Sequence, residues 1–457
     1  MSRKPVAIIG GGPAGLTAAA FLQRHNVPFI LYEAGKKIAG LTASFHDDDG
    51  FTYDFGAHFI TNRLAAATGI GAHCRDVLYY GESVWLQGKT YSYPFGLLQV
   101  PRYVASGLAS QLSSINRNRT FSSAAEWFRS HYGKTLANEI AIPLLEAWSG
   151  ADASTLAASV GEKFQNSIGK TLLLKVASQL TGRAVACGYS HTVPENPFVW
   201  HVYPEGGVGL LCEHLARGLE AKIHLESPVE EILVNDGRVE SIQVRGVEQP
   251  VSAVISTAPC HILAKMVKGT EALQPLSRFR YRPMVFINLR LEGRGLLPDT
   301  VLWTPENEFP FFRLTETTLS MPWLAPPGKT LITVDIGCQL GDAIWTMDDE
   351  SLGEFCVNHL KPIIPNVRQR YLGCRVLRTP IAYPVYLNEY EADRQRLEYS
   401  TGVDGLHSIG RNGEFSHMLM EDVYWGTLKK MKTLLEPTAQ QSDLLLSDRL
   451  LLINRSD

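Results

Sequence analysis

The sequence predicts an α/β fold in which a parallel-sheet domain is interrupted along the chain by a second, mixed α+β domain. Three observations carry this: an apolar strand running into a glycine-rich turn near the start, signals of the same kind returning after residue 203, and intervening stretches of different character. The first is the most specific. Val6-Ala7-Ile8-Ile9 leads into Gly10-Gly11-Gly12-Pro13-Ala14-Gly15, a GxGxxG pattern, and Glu33 closes a second apolar run, Phe29-Ile30-Leu31-Tyr32. Gly10 permits a tight strand-to-helix turn, and Gly12 lets backbone approach a pyrophosphate. Gly15 lets the helix beginning near Pro13 lie against the strand, its N-terminal amides facing the phosphates. The Glu33 carboxylate can accept hydrogen bonds from a ribose 2′-hydroxyl. With strand, Ala/Leu-rich helix (16–23) and second strand in place, the pattern reads as a Rossmann-type dinucleotide site rather than a structural glycine turn.

Later segments extend this domain. Strand patterns at 222–225, 229–234, 238–244 and 251–255, with the hairpin signal Asn235-Asp236-Gly237, are expected to complete the nucleotide-binding sheet. Before them, Tyr203-Pro204-Glu205-Gly206-Gly207 leads into a helical pattern bearing Leu210, Leu211, Leu215 and Leu219. Residues 81–202 read as an inserted helical region, with helices around 124–129 and 136–148. Residues 276–374 contain apolar alternating stretches, 284–291 and 330–336, that predict a mixed or antiparallel sheet. The expected division is a discontinuous nucleotide-binding domain of 1–80, 203–275 and 375–436, a substrate-facing domain of 81–202 and 276–374, and an unassigned tail, 437–457.

Composition bounds the rest. A chain of 457 residues, 45% hydrophobic, can bury a large core. Lys plus Arg number 43 against 46 Asp plus Glu, a net charge of −3 without a long run of one sign, so nothing advertises nucleic acid. The seven cysteines (Cys74, Cys187, Cys212, Cys260, Cys338, Cys356, Cys374) are scattered, with no C-x-x-C spacing, which argues against a disulfide framework or a metal site. Reduced thiols and a cytoplasmic location are expected. Ser2-Arg3-Lys4 runs straight into the first strand, leaving no room for a signal peptide, and no apolar run reaches the length of about 18 residues that suggests a membrane span. Peripheral membrane contact through Leu172-Leu173-Leu174, or through Leu444-Leu445-Leu446 and Leu450-Leu451-Leu452, stands beside the ordinary reading of these runs as buried helix.

Segments spread over most of the chain resemble one superfamily. Besides the opening motif they are Ala39-Gly40-Leu41-Thr42-Ala43-Ser44-Phe45, Tyr53-Asp54-Phe55-Gly56-Ala57-His58-Phe59, Tyr203–Gly207, Ser256-Thr257-Ala258-Pro259 and Ile409-Gly410-Arg411-Asn412-Gly413-Glu414-Phe415. Together they resemble the FAD-containing superfamily of amine oxidases, protoporphyrinogen oxidases, phytoene desaturases and UDP-galactopyranose mutases. The resemblance implies a glutathione-reductase-like FAD domain. It places FAD against Gly10, Gly12, Pro13, Ala14 and Gly15, with Glu33 and Ala34, then Gly40, Leu41 and Thr42. It adds Gly56, Ala57 and His58, Val229 and Thr257, and finally Gly410, Arg411, Met420 and Glu421. In the last segment a Gly-Arg turn feeds a helix whose N-terminus would stabilise negative charge on a reduced flavin. Gly56–Phe59, Phe311-Phe312-Arg313-Leu314-Thr315-Glu316 and Ala382-Tyr383-Pro384-Val385-Tyr386 look most like the protoporphyrinogen-oxidase branch that is also similar to the mutases. The mutase motif has Tyr and Asp where this chain has His417 and Glu421.

The chemistry implied is removal of a hydride from a small organic substrate by flavin N5, with the protein supplying orientation and electrostatics. Gly206-Gly207-Val208-Gly209 lacks a preceding strand, so no nicotinamide domain is expected and an oxidase or dehydrogenase is favoured over a reductase. His58, Arg313 and Tyr383 are the expected catalytic residues. His58 would donate to the flavin edge or be satisfied by local backbone. Arg313 would pair with Glu316 or face an anionic ligand, while Arg411 would support the flavin loop or pyrophosphate. Tyr383 and Tyr386 would form an aromatic cage or an ordinary strand end, and Cys260 reads as a packed thiol. The alternatives to an oxidoreductase are a non-redox mutase using reduced FAD and a flavin-binding or cofactor-free partner protein.

Overall fold

The computed structural model describes residues 4–56, 58–93, 95–114, 120–162 and 168–435. The tail from 437, with its leucine runs, lies outside them. Five short strands form a wholly parallel sheet in the order Ile223–His224, Phe29–Tyr32, Val6–Ile9, Ala253–Ser256, Leu406–Ser408. Val6–Ile9 and Ala253–Ser256 are buried along their whole length, as strands covered on both faces must be. The helix Pro13–Arg24 packs against Leu210–Ala216 and Met420–Leu435 on one side of this sheet. The strand Val6–Ile9 is central, with Phe29–Tyr32 on one side and Ala253–Ser256 on the other. The glycine turn at its carboxyl end therefore opens at a topological switch point, where α/β sheets bind ligands.

Only the outer two of the four strands expected between 222 and 255 join this sheet. Val229–Asn235 and Arg238–Val244 pair with each other antiparallel and, with Val247–Pro250 and Val267–Lys268, make a separate four-stranded sheet. The cause is the turn: Asp236 at φ +50° and Gly237 at φ +75° close a tight hairpin, which pairs its own strands and leaves none to extend a parallel ladder.

A seven-stranded mixed sheet forms the second lobe, in the order Tyr371–Pro384, Tyr281–Glu292, Lys329–Gly337, Arg313–Glu316, Val301–Trp303, Glu82–Leu86, Lys89–Ser92. Alternation sorts its faces. Val285, Ile287, Leu289 and Leu291 pack under the helix Asp349–Leu360, whereas Met284 and Phe286 face the other way with Phe312 and Leu377. The domain boundary expected at 375 falls inside Tyr371–Pro384, a strand that pairs with Tyr281–Glu292 from end to end. Within the stretch 81–202, Ala124–Tyr132, Ile142–Ser149 and Ile168–Thr181 are helices, with a π-turn at Ala137–Ala141, but its first part is the strand pair Glu82–Leu86 and Lys89–Ser92 at the edge of the seven-stranded sheet.

Candidate functional site

A cavity of about 300 Å³ lies where the two lobes meet. One end is backbone. Gly10, Gly12, Pro13, Ala14, Gly40 and Thr257 line it, with Glu33, Leu41 and Thr42 alongside. At Gly10 the chain takes φ +101°, and a Cβ there would stand 2.1 Å from Thr257 Oγ1. At Gly15 a Cβ would stand 1.9 Å from the Gly10 carbonyl oxygen, so only glycine lets the helix meet the strand. Gly410, at φ +77°, would strike Ala14 with a Cβ at 2.6 Å, which is how the last motif closes over the first. Gly12 differs: nothing lies within 4 Å of its Cβ position, so the bare backbone faces open cavity. The helix that follows has neither a side-chain cap nor an acid in its first turn, leaving its amides available to an anion. Glu33 braces the turn, its two oxygens accepting from the amides of Gly11 (2.6 Å) and Gly35 (2.7 Å).

The opposite rim is the turn Gly410–Gly413. Arg411 donates to the carbonyls of Ala382 (2.9 Å) and Met418 (3.4 Å) and lies over the Tyr383 ring at 4.8 Å. Burial lowers its pKa, and among the described residues it has no carboxylate partner. Arg411 Nε and Asn412 Oδ1 are buried without hydrogen bonds, and both residues line the cavity. A guanidinium buried without a counter-ion is costly unless a ligand supplies the charge. Bare backbone at Gly12, free helix amides and these orphaned polar atoms fit the diphosphate and ring edge of FAD.

The other end is aromatic, walled by Phe55, Phe59, Tyr189, Phe286 and Tyr383. His58 lies among them. Its Nε2 donates to the Phe55 carbonyl at 2.6 Å, and burial, with Arg411 and Arg313 nearby, lowers its pKa to about 4. It is therefore neutral at pH 7, with its proton engaged, and Nδ1 is an acceptor rather than the expected donor. Arg313 pairs with Asp335, Nε to Oδ2 at 2.8 Å and Nη2 to the same oxygen. Burial would lower the arginine pKa, but the carboxylate more than offsets it and the value is raised.

The expected partner, Glu316, instead accepts from the amides of Gly295, Leu296 and Leu297 at 2.8 Å each. Positions 313 and 316 of one strand point to opposite faces, whereas Asp335 is Arg313's cross-strand neighbour on the same face. A lone acid in the apolar run 330–336 was the available signal.

Several other expected residues stand apart from the cavity. Glu421 is buried, taking Thr61 Oγ1 at 2.6 Å and a bidentate Arg63, because a carboxylate so placed needs a counter-charge. Val229 is buried in the hairpin sheet opposite Val244. Gly56 at φ +79° is wedged between Phe286 and Arg313. Ala34 does not line the cavity, Met420 does, and Ala57 lies outside the described residues. Tyr386 forms no cage with Tyr383: it is buried against Phe415, its hydroxyl accepting from the His417 amide. Tyr383 instead meets Trp148 at 5.0 Å and His417 at 5.8 Å. Cys260 is a packed thiol, bonded to the carbonyls of Asn412 and Gly413 and pushed up to about 12 by burial.

Tyr189 carries no local sequence signal. It is seated by Glu195, which accepts from the amides of Gly188 and Tyr189, and by Asp422, which accepts from Ser190 Oγ and the amides of His191 and Thr192.

Comparison with known proteins gives a consistent picture. The family described as flavin containing amine oxidoreductase matches residues 13–424. Coproporphyrinogen III oxidase of Bacillus subtilis (strain 168) is 22% identical over 401 residues, 79% of this chain and 83% of that protein. Protoporphyrinogen oxidase 2, chloroplastic/mitochondrial, of Arabidopsis thaliana is 22% identical over 474 residues, 87% of each. The crystal structure of reduced UDP-galactopyranose mutase superposes with a TM-score of 0.77 at 18% identity, covering 99% of this chain and 98% of the other.

Proposed function

The chain belongs to the flavin-containing amine oxidoreductase family and is an FAD-dependent oxidoreductase; we propose that it removes a hydride from a small organic substrate held at the aromatic end of the cavity. Bound FAD would supply the hydride acceptor, its flavin ring. The protein's residues bind, orient and exclude. The glycine turn and the N-terminus of Pro13–Arg24 hold the pyrophosphate, while Arg411 and Asn412 offer the unmet donor and acceptor across from them. Phe55, Phe59, Phe286, Tyr189 and Tyr383 exclude water and hold the substrate's reacting carbon close. Asp335 fixes the Arg313 guanidinium beside this end, where it orients a polar or anionic substrate group. His58 Nδ1 accepts a hydrogen bond from the substrate; with a pKa of about 4 it orients rather than acting as a general base at neutral pH.

The observation that carries this reading is the wall itself: aromatic rings and a neutral histidine, with the carboxylate-paired Arg313 outside the lining, suit redox chemistry performed by the cofactor better than attack by a protein nucleophile. Anaerobic mixing with a panel of amines, alcohols and alkene precursors tests it. Coproporphyrinogen III and protoporphyrinogen, the compounds in two relatives' names, join the panel. The flavin band at about 450 nm is expected to bleach with one of them.

A second reading, non-redox isomerisation using reduced FAD, draws on the superposition with the reduced mutase and on Arg313. Against it, Glu421 is committed to Arg63. Turnover only after dithionite reduction, with no net electrons consumed, would establish it.

A further inference from the structure

The loop that joins the helix Ile168–Thr181 to the strand His201–Pro204 brings Tyr189 to the aromatic end of the cavity, where its ring meets Phe59 at 6.4 Å and His201 at 4.3 Å. Residues 188–195 form neither helix nor strand, so their backbone groups need partners from elsewhere. Three carboxylates provide for them. Glu195, within the loop, accepts from the amides of Gly188 and Tyr189. The other two are consecutive residues of the helix Met420–Leu435. Asp422 Oδ1 accepts from Ser190 Oγ at 2.8 Å and from the amides of His191 and Thr192 at 2.9 Å each. Glu421 holds Arg63, whose guanidinium also donates to the carbonyls of Val193 (2.9 Å) and Pro194 (2.7 Å). Glu421 and Asp422 are only 1% and 6% exposed, so water cannot stand in for the contacts they make.

The same helix start forms part of the cavity. Met418, Leu419, Met420 and Val423 line it, so the two acids that hold the loop sit between residues that face the space for the coenzyme. The first amides of a helix have no partner inside the helix, and its first turn opens more readily than its middle. A ligand filling the cavity packs against Met420 and Val423 and steadies that turn, and the loop is hung from it. We propose that Asp422 is a positioning residue joining the two ends of the cavity: through it, occupation of the coenzyme site orders the loop 188–195 and seats Tyr189 in the wall that meets the substrate. The part played by that wall rests on the function proposed above; the coupling of coenzyme to loop does not.

Hydrogen exchange of peptides covering 188–195, read by mass spectrometry on the full-length protein without FAD and with FAD at saturation, tests this without a substrate. The helix Asp349–Leu360, packed on the far face of the seven-stranded sheet, serves as the reference for a general gain in stability. Relative to it, FAD is expected to slow exchange across the loop about tenfold or more. Asp422→Ala is expected to remove most of that FAD-dependent difference, and Asp422→Asn, which keeps an acceptor at Oδ1, to restore much of it. Should the alanine variant not fold, Ser190→Ala is read in its place: it removes one of the three bonds, leaves the helix untouched, and is expected to give a smaller loss. A carboxylate that merely braced the loop would, when removed, speed exchange equally with and without FAD. The proposal is overturned by that result, by loop exchange that is the same with and without FAD, or by an Asp422→Ala protein that keeps the full difference. If FAD slows exchange as expected while no compound of the panel bleaches the flavin, the proposed reaction fails and the coupling stands.

Discussion

The two ends of the cavity are built on opposite principles. At the glycine end the chain removes side chains: Gly10, Gly15 and Gly410 are places where a single Cβ would strike a neighbour within 2.6 Å. At the aromatic end it brings side chains together from distant segments. Arg313 and Asp335 meet across two strands, His58 is fixed by Phe55, and Tyr189 is seated by carboxylates from its own loop and from the helix Met420–Leu435. The first end is thus a backbone cradle insensitive to titration over most of the pH range. The second is a set of buried polar contacts that all depend on partners.

The largest expected effect lies at the aromatic end. Asp335→Ala leaves the Arg313 guanidinium buried and unpaired, and should cost about 3–5 kcal/mol, read as a lower midpoint in urea. The flavin content of the folded fraction should stay unchanged, because Asp335 touches none of the cradle. Loss of flavin at full stability would break the contrast between the ends. Gly15→Ala should give the reverse pattern. Its Cβ can be accommodated only by moving the Gly10 carbonyl, at about 1–3 kcal/mol, and the displaced turn should no longer retain FAD through gel filtration.

Acid supplies a smaller effect, largest at the aromatic end. His201, met edge-on by Tyr189 and at a tilt by Phe59, is buried and held to about 3. Because the unfolded chain binds its proton near pH 6.5 and the folded chain does not, stability rises with pH across that window. Its contribution is complete above about pH 6.5 and is lost progressively as pH falls toward 3. At pH 5 the loss from this residue is about 2 kcal/mol, and His58 and His407, each held near 4, act with the same sign. His201→Phe should flatten the dependence of the thermal midpoint on pH between 5 and 7, as scanning calorimetry can measure; an unchanged slope would contradict the buried neutral imidazole.

The contrast also explains what could be read from sequence. The glycine end was legible because each demand falls on one residue at short spacing: Gly10, Gly12 and the Gly410-Arg411 turn line the cavity, and Gly15 supports the turn from behind. The hairpin at Asn235-Asp236-Gly237 was legible for the same reason, although not the consequence that it withdraws its strands from the parallel sheet. Asp335 was hidden because cross-strand register, not spacing along the chain, pairs it with Arg313. Tyr189 was hidden because the loop joining the helix Ile168–Thr181 to the strand His201–Pro204 has no periodicity. The boundary placed at 375 missed because a strand of 14 residues hides any composition shift within it. Glu421 sits at a motif position, yet burial beside Arg63 gives it a structural task.

Gly12 separates cradle from fold most directly. Its φ of −81° suits any residue, and nothing lies within 4 Å of its Cβ position, so Gly12→Val should fold with the wild-type thermal midpoint while filling the space reserved for the pyrophosphate. Titration of the flavin-free proteins with FAD is expected to give affinity weakened by about a hundredfold or more, about 2.7 kcal/mol. A Gly12→Val protein that binds FAD as tightly as the wild type would mean that the coenzyme does not lie against the glycine turn.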